Sequence, residues 1–332
     1  MSELRFDPAA GQYVVFAPAR LKRPYAFKAP PALTPGFENP FALGNEGKTP
    51  GEVYAHREKG TLPDTPGWDI RVFPNLYPAF EAATFLSGLG HPLFETIAGT
   101  GGHEVMIETP DEALSLEKLP VQNLISFFEA VQNRFQFWKS KPGVQSVYLF
   151  KNSGGVAGAS LPHSHSQLVA LPIVPPRFEI KNTFLKEYLQ KNQRSYLNLL
   201  LETELQQQSR IVWQSEEIIA FCPYVSRFPY EVIFYPRKPI TDFGTNSSGV
   251  LKELSEAIRT VFAGIEKSTR PDFPYNLFLN QVPVAEKGDD WFRWSLEVFP
   301  RVGGIAGFET GTGMWMNSVL PEVAAKAIRG KV

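Results

Sequence analysis

The sequence predicts an α+β protein made of two similar sets of elements. Short β-rich runs alternate with turns rich in proline and glycine, and two long segments carry apolar residues at every third or fourth position. A set of strands with one long helix packed across it gives an α+β unit. After Pro172–Pro176 the order of elements partly repeats. We therefore expect two halves, residues 1–172 and residues 173–332, and a chain of 332 residues is long enough for both.

Turn chemistry dominates the first hundred residues, where proline and glycine cluster at 24–50 and at 63–67. Short strands between long loops follow from this composition. An amphipathic helix is predicted at 119–139, because its apolar residues recur at helical spacing. The strands predicted in this half are 13–17, 70–73, 104–108 and 146–151.

The second half begins with a segment rich in Leu, Gln, Lys and Glu, residues 179–208, for which we expect one long helix. A second amphipathic helix is predicted at 249–267. The strands predicted here are 211–221, 231–235, 275–280 and 294–299.

The composition excludes several classes of function. The chain has 33 Lys and Arg against 34 Asp and Glu, so no overall field favours nucleic acid or an anionic membrane as a partner. The single cysteine, Cys222, excludes an intrachain disulfide and a cysteine-rich zinc site. The first residues do not read as a signal peptide, and no apolar run approaches the roughly 20 residues of a membrane span. We expect a soluble cytoplasmic protein that acts on small molecules.

The most informative segment is 152–167, NSGGVAGASLPHSHSQ. On a strand, side chains alternate between faces, so His163, His165 and Gln167 are expected to project together. A neutral imidazole attacks phosphorus through one ring nitrogen when the other is held as N–H, and the glutamine amide donates to phosphate oxygens. Backbone N–H groups of the glycine-rich turn suit a phosphate cradle. The segment therefore predicts nucleotidyl transfer.

Two alternatives remain open from these residues alone. The two histidines are also compatible with ordinary hydrogen-bonded residues of a strand. They are compatible with a metal site too, but such a site needs further ligands, and only His56, His91 and His103 remain among the histidines.

Several segments together resemble one family. The histidine segment is similar to the H-P-H-x-Q strand of the galactose-1-phosphate uridylyltransferases, a branch of the histidine-triad superfamily, with Ser164 at the usual proline position. Since that side chain points away from the phosphate, the difference is tolerable. Further similar segments are LRFDPAAGQYVVFAPARLKRP (4–24), WDIRVFPNLYPAF (68–80), PYVSRFPYEV (223–232) and EVFPRVGGIAGFETGTGMWMN (297–317).

The resemblance implies a fold of duplicated histidine-triad-like units, each an antiparallel sheet with packed helices, of which only the first keeps the nucleophile. It implies that His165 carries a covalent nucleotidyl group and that His163 orients the strand. It also implies a homodimer, since relatives form dimers. The remaining implied roles are phosphate binding by Asn152, Ser160 and Gln167, binding of the hexose phosphate by Arg20 and Arg23, nucleotide binding by Phe41 and Asn75, and sugar binding by Glu309.

The chain departs from the family at both metal sites. At the zinc site, Asn39 and Ala42 stand at the two cysteine positions and Glu112 replaces a histidine. Asn and Ala cannot replace thiolate ligands. At the second site, the ligand positions hold Asn280, Arg293 and Ser295. We therefore expect a protein without zinc, iron or any other cofactor.

We expect a two-step transfer of a nucleoside monophosphate from an NDP-sugar to a hexose 1-phosphate through nucleotidyl-His165. The segment GFETGTG resembles the branch that includes ADP-sugar phosphorylase-like proteins, and Leu76 replaces an aspartate that faces the ribose in relatives. Two alternatives follow: an NDP-sugar phosphorylase that uses inorganic phosphate, and a non-catalytic nucleotide-sugar-binding protein. An unrelated metal-dependent β-fold fits the matched segments poorly.

Overall fold

The computed structural model describes residues 3–7, 12–16, 38–82, 95–288 and 291–330. Its strands are β1 (Glu3–Asp7), β2 (Gln12–Phe16), β3 (Tyr54–Arg57), β4 (Trp68–Pro74), β5 (Thr96–Ala98), β6 (Gly102–Ile107), β7 (Ser146–Ser153), β8 (His165–Leu171), β9 (Ile211–Gln214), β10 (Ile218–Phe221), β11 (Val232–Pro236), β12 (Tyr275–Asn280) and β13 (Ser295–Pro300). Its helices are α1 (Val121–Lys139), α2 (Pro176–Asn192), α3 (Tyr196–Gln207), α4 (Ser248–Ser268), α5 (Gly307–Thr312) and α6 (Pro321–Ile328).

Ten of the described strands form one continuous antiparallel sheet in the order β3-β4-β6-β8-β7-β12-β13-β11-β10-β9. Each half contributes five of these strands, and the first of the five in chain order lies at the outer edge of the sheet. Moving inwards from that edge, the next strands are the second, third, fifth and fourth of that half's five in chain order. The two halves follow the same rule. The halves meet where β7 pairs with β12. This repeated topology confirms the predicted α+β fold of two duplicated units. The boundary near Pro172 stays a prediction.

A row of paired residues crosses the centre of this sheet. Gln167 pairs with Phe150, Phe150 pairs with Phe278 across the junction of the halves, and Phe278 pairs with Glu297. Since directly paired residues point to the same face, all four side chains project from one face of the sheet. Gln167 and Glu297 therefore occupy equivalent places in the two halves.

The two faces of the sheet are covered differently. Helices α1, α4 and α6 pack on one face and bury the main apolar core there. On the other face, α2 and α3 cover the second half, whereas the segment 38–50 covers the first half and inserts Phe41. The candidate site lies on this second face, beneath that segment.

Most elements agree with those predicted, but two predictions were wrong in detail. The single helix expected at 179–208 is two helices: Gln193 closes α2 with a left-handed φ of 52°, and the side chain of Ser195 accepts the Asn198 N–H to begin α3. The strand expected at 211–221 is the antiparallel pair β9 and β10. Within the described residues, no helix is both long and apolar enough to span a membrane.

Candidate active site

His165 is the first residue of β8, and its ring is held by the chain immediately before it. The Nδ1 atom lies 2.8 Å from the carbonyl oxygen of His163. A carbonyl only accepts hydrogen bonds, so Nδ1 carries the proton and the Nε2 atom of the neutral ring keeps its lone pair. This is the tautomer that nucleophilic attack through Nε2 requires.

Burial keeps this ring neutral. Only 7% of His165 is exposed, and burial lowers its pKa to about 4. The hydrogen bond to the His163 carbonyl opposes this shift, whereas the charge of Lys151 adds to it. An imidazole with so low a pKa is uncharged at neutral pH and can act as a nucleophile without losing a proton first.

His163 lies just before β8 rather than within it, and both of its ring nitrogens have partners. The Nε2 atom lies 2.7 Å from the carbonyl oxygen of Thr109, and Nδ1 lies 2.8 Å from Nδ2 of Asn39. The Oδ1 atom of Asn39 accepts the Phe41 N–H at 2.9 Å, which identifies Nδ2 as the group that donates to His163. His163 therefore anchors the backbone that holds His165.

These contacts do not fit a zinc site. A zinc ion needs a free ring nitrogen on His163, but one nitrogen donates to Thr109 and the other accepts from Asn39. Ala42 offers no ligand atom. Among the described residues, no group of three or more His, Cys, Asp and Glu side chains is arranged to hold a metal ion.

A cavity of about 300 Å³ opens beside the nucleophile, and both His165 and Gln167 line it. The ring of Phe41 meets the His165 ring edge to face, with centroids 5.3 Å apart. Apolar walls with a few polar groups are typical of nucleotide pockets. The predicted residues in this wall are Phe41, Asn75, Ser160, His165 and Gln167, and the others include Glu38, Lys48, Thr49, Phe73, Leu76, Tyr77, Val105 and Leu161.

The segment that covers this cavity is fastened to the sheet by β4. The indole N–H of Trp68 donates to Glu46 at 2.7 Å. The guanidinium of Arg71, only 1% exposed, donates to Thr49 at 2.6 Å and to Asp64 at 2.7 Å. A buried arginine that joins several loop oxygens fixes their positions. The wall that carries Phe41 is thus held in place from beneath.

A second cavity, of about 200 Å³, shares His165 and Leu161 with the first and is also lined by Asn152, His163 and the turn after β7. The Oδ1 atom of Asn152 accepts from Nδ2 of Asn276 at 2.8 Å, so the Asn152 amide keeps its N–H groups for another partner. His165 therefore lines both cavities.

The glycine-rich turn forms only part of the expected phosphate cradle. Gly154 and Gly158 have φ values of 82° and 88°, which favour glycine. The N–H groups of Ala157, Gly158 and Ala159 bond to carbonyls within the turn. A bound phosphate would thus be limited to the remaining amides and to side chains such as Asn152.

A buried ionic network supports β8 from the opposite face. Glu108 accepts from the hydroxyls of Ser164 and Ser166 and from the ammonium of Lys151 at 2.7 Å. Lys151 also donates to the carbonyl oxygen of His165 at 3.2 Å. Ser164 thus does not line the cavity that Phe41 and Gln167 line, and its hydroxyl takes part in fixing the strand.

Of the other predicted residues, Glu309 is described, and it lines neither of these two cavities. Arg20 and Arg23 lie outside the described residues. Glu309 lies on α5, is partly exposed, and accepts the Ala306 N–H at 3.0 Å. It lines a separate cavity of about 560 Å³ with Arg227 and Trp315.

In the second half, different residues occupy the places of the catalytic ones. Gln167 and Glu297 are equivalent positions. Ser295, two residues before Glu297, therefore takes the place of His165, which lies two residues before Gln167.

Burial alone would raise the pKa of Glu297, but the charges of Lys181, Arg177 and Arg227 lower it. Two of the three predicted positions of the second metal site have protein partners, since Asn280 donates to Glu297 at 2.7 Å and Arg293 donates to the Pro236 carbonyl at 2.9 Å. The first half therefore holds the candidate nucleophile.

His103 belongs to the site but was not predicted there. Its Nε2 atom lies 2.9 Å from Oε1 of Gln167. The pattern of alternation contained a signal, because His103, Val105 and Ile107 follow one another on the same face of β6. The predicted strand at 104–108 began one residue too late to show it.

Two family models match the chain. The model described as galactose-1-phosphate uridyl transferase, N-terminal domain, matches residues 1–175. A model described as a domain of unknown function (DUF4921) matches residues 102–331.

Named relatives cover almost the whole chain. It is 30% identical over 337 residues to ADP-glucose phosphorylase of Arabidopsis thaliana, spanning 98% of this chain and 92% of the relative. It is 28% identical over 337 residues to galactose-1-phosphate uridylyltransferase of Thermotoga maritima, spanning 99% and 98%. The crystal structure of an ADP-glucose phosphorylase from Arabidopsis thaliana with bound ADP-glucose matches 99% of both chains, with a TM-score of 0.76 and 28% identity. These relatives are named as enzymes.

Proposed function

Because the chain belongs to the galactose-1-phosphate uridyl transferase family, we propose that it moves a nucleoside monophosphate from an NDP-sugar to a hexose 1-phosphate through a covalent nucleotidyl-His165. The chain is an enzyme similar to the hexose-1-phosphate uridylyltransferases. The observation that carries the proposal is the tautomer of His165, whose Nδ1–H donates to the His163 carbonyl while its ring lines a cavity beside Gln167. A permanently non-catalytic binding protein would have no need of this arrangement.

In the first step, the Nε2 lone pair attacks the α-phosphorus of the NDP-sugar. A P–N bond forms, the bond from that phosphorus to the bridging oxygen breaks, and hexose 1-phosphate leaves with the electron pair. In the second step, a phosphate oxygen of the acceptor attacks the same phosphorus and the P–N electrons return to Nε2. Gln167 and Asn152 supply N–H donors for the phosphate oxygens.

An NDP-sugar phosphorylase is the second candidate, and it differs only in the acceptor. One observation favours it: a relative at 30% identity is named ADP-glucose phosphorylase. An acceptor competition assay separates the two. Purified protein receives ADP-glucose or UDP-glucose with either inorganic phosphate or galactose 1-phosphate, and the nucleotide products are quantified.

The His165→Asn variant tests the covalent step in the same assay. We expect no turnover with any donor and acceptor, because an amide cannot form the nucleotidyl intermediate. Undiminished turnover by this variant would contradict the mechanism. Its melting temperature serves as the control for folding.

The proposal includes the absence of zinc and iron. Its support is the pair of hydrogen bonds that engage both ring nitrogens of His163. Elemental analysis of protein purified without chelators tests this, and a stoichiometric metal content would contradict it.

We also propose a cytoplasmic homodimer whose ligands are small molecules rather than nucleic acid or membrane. Several large apolar side chains of the segment 302–320 are exposed, among them Met314, Trp315, Met316 and Leu320. A contiguous exposed apolar surface favours contact with another protein. Light scattering during gel filtration measures the mass, and a monomer would contradict the proposed dimer.

A further inference from the structure

We propose that His103 is a positioning residue that fixes the direction of the Gln167 amide, so that Gln167 offers only N–H groups to the phosphate. This inference rests on the proposed function, because it assigns a role within the same site. It depends on three hydrogen bonds that together determine which atom of Gln167 faces the cavity.

The first bond determines the tautomer of His103. Its Nδ1 atom lies 3.1 Å from the backbone N–H of Ala79. A backbone N–H can only donate, so Nδ1 accepts and the proton of the neutral ring is on Nε2. His103 is buried, with 5% of its surface exposed, and belongs to the rigid sheet. The hydrogen bond from the Ala79 main chain thus orients the ring and fixes the direction in which Nε2–H donates.

The second bond fixes the orientation of the Gln167 side-chain amide. The Nε2–H of His103 points at Oε1 of Gln167, 2.9 Å away. Because a ring N–H can only donate, the amide oxygen of Gln167 must face His103. The amide nitrogen then faces the cavity that His165 lines.

Asn75 gives a second, independent constraint of the same kind. Its Oδ1 accepts the Tyr77 N–H at 2.9 Å, so its Nδ2 is the atom that lies 3.2 Å from Nε2 of His103 and 3.4 Å from Oε1 of Gln167. Because the Ala79 contact places the ring proton on Nε2, Nδ2 cannot donate to that nitrogen and donates to Oε1 of Gln167 instead. If the Gln167 amide turned over, its NH₂ group would meet two donors and lose two hydrogen bonds. The reversed amide is therefore strongly disfavoured.

This arrangement matters for the chemistry because a phosphate oxygen is only an acceptor. A glutamine free to rotate would present its carbonyl oxygen for part of the time and repel the charge that develops in the transition state. Pre-oriented donors stabilise that charge without reorganisation at the moment of reaction. His103 would thus raise the rate without touching the substrate.

Two substitutions separate this role from a purely structural one, since each keeps one of the contacts of His103 with Ala79 and Gln167 and removes the other. In His103→Gln, the side-chain amide reaches as far as Nε2 and keeps the donor for Gln167, but the acceptor for the Ala79 N–H is lost. In His103→Asn, the amide oxygen replaces Nδ1 and still accepts from Ala79, but the side chain is too short to donate to Gln167.

Turnover of ADP-glucose and UDP-glucose is measured for these variants, together with their melting temperatures. We expect His103→Asn to lower kcat about tenfold, as expected for one orienting hydrogen bond, and His103→Gln to stay within about threefold of wild type. A structural role through Ala79 predicts the reverse order. Wild-type kcat in His103→Asn, or an equal loss in both variants, would overturn the proposal.

A double-mutant cycle provides the second readout. Gln167→Ala alone is expected to slow turnover about 10²-fold. In that background His103→Asn should cause no further loss, because the amide it orients is gone. Additive losses would show that His103 acts by another route and would contradict the proposal.

A binding measurement distinguishes failure of this inference from failure of the proposed function. Calorimetric titration with AMP and UMP does not require turnover. If wild type binds a nucleotide but turns over neither sugar donor, the proposed reaction fails. The His103 proposal can still be tested in that case, because it predicts about tenfold weaker nucleotide binding by His103→Asn than by His103→Gln. Equal affinities would overturn it, and wild type that neither binds nor turns over would overturn both.

Discussion

The side-chain amide of Asn39 donates to Nδ1 of His163 across 2.8 Å, and this contact joins the segment over the cavity to the backbone that holds the nucleophile. His163 in turn accepts the Nδ1–H of His165 on its carbonyl oxygen. A neutral asparagine therefore occupies a place where relatives are expected to hold a zinc ligand. The position of the nucleophile thus depends on a chain of hydrogen bonds.

The Asn39→Ala variant should be less stable than wild type by about 1–3 kcal/mol, because it leaves a buried nitrogen of His163 without a donor. Urea unfolding measures this difference. Asn192→Ala is the matched control, since Asn192 is exposed and donates only to a carbonyl of its own helix. The control should stay within about 0.5 kcal/mol of wild type. An equal effect of the two substitutions would contradict the role of Asn39.

The pH dependence of the reaction should reflect the burial of His165, whose pKa is lowered to about 4. Between pH 4 and the ordinary histidine value of 6.5, the unfolded chain binds a proton that the native ring does not. This group's contribution to stability is therefore lost as the pH falls through that window. The nucleophile nevertheless stays neutral, so kcat/KM should show no acid limb near pH 6.5 from His165. The profile is measured from pH 4 to 8 for formation of nucleotidyl-His165 from the donor alone, because the phosphate acceptors themselves titrate at about pH 6. Such a limb in this step would contradict the assignment.

The network behind the nucleophile strand gives a prediction about stability. Lys151 and Glu108 are 2% and 0% exposed, and their charged groups lie 2.7 Å apart. Lys151→Met should destabilise the protein by about 3–5 kcal/mol, because it leaves a buried carboxylate unpaired. Adding Glu108→Gln should recover part of that loss by removing the charge. Chemical denaturation of both variants tests this, and a double variant as unstable as the single one would count against it.

Glu309 lies on α5, a short helix with no buried residues, so its expected contact with the sugar can be separated from folding of the core. Glu309→Ala should leave the melting temperature unchanged and raise the KM for hexose 1-phosphate about tenfold, through loss of hydrogen bonds to a charged group. Formation of nucleotidyl-His165 from the donor should be much less affected. An unchanged KM would remove Glu309 from the sugar site.

Much of the fold follows from local sequence patterns. The helical spacing at 119–139 and 249–267 predicts α1 and α4 closely, because each buries one apolar stripe on the sheet. The break between α2 and α3 was missed, since it depends on a left-handed Gln193 and the cap at Ser195 rather than on apolar spacing. The pairing of β7 with β12 could not be predicted in this way either, because it joins segments more than a hundred residues apart.

Local sequence patterns likewise predicted only part of the candidate site. The two-residue spacing of His165 and Gln167 placed both at the cavity, because a strand has a period of two. The same spacing did not place His163, which lies before the strand and has its own partners. The orientation of the Gln167 amide depends on His103 and Ala79, and no local pattern relates these distant positions.

The central claim is that His165 carries the nucleotide during the reaction. The most direct test mixes ADP-glucose or UDP-glucose, labelled with ³²P at the α-phosphorus, with the protein in the absence of an acceptor. We expect acid-labile, alkali-stable label on the wild-type peptide that contains residues 163–167 and none on His165→Asn, with release of the label on addition of a phosphate acceptor. Turnover by wild-type protein without any labelled peptide, or equal label on His165→Asn, would contradict the account.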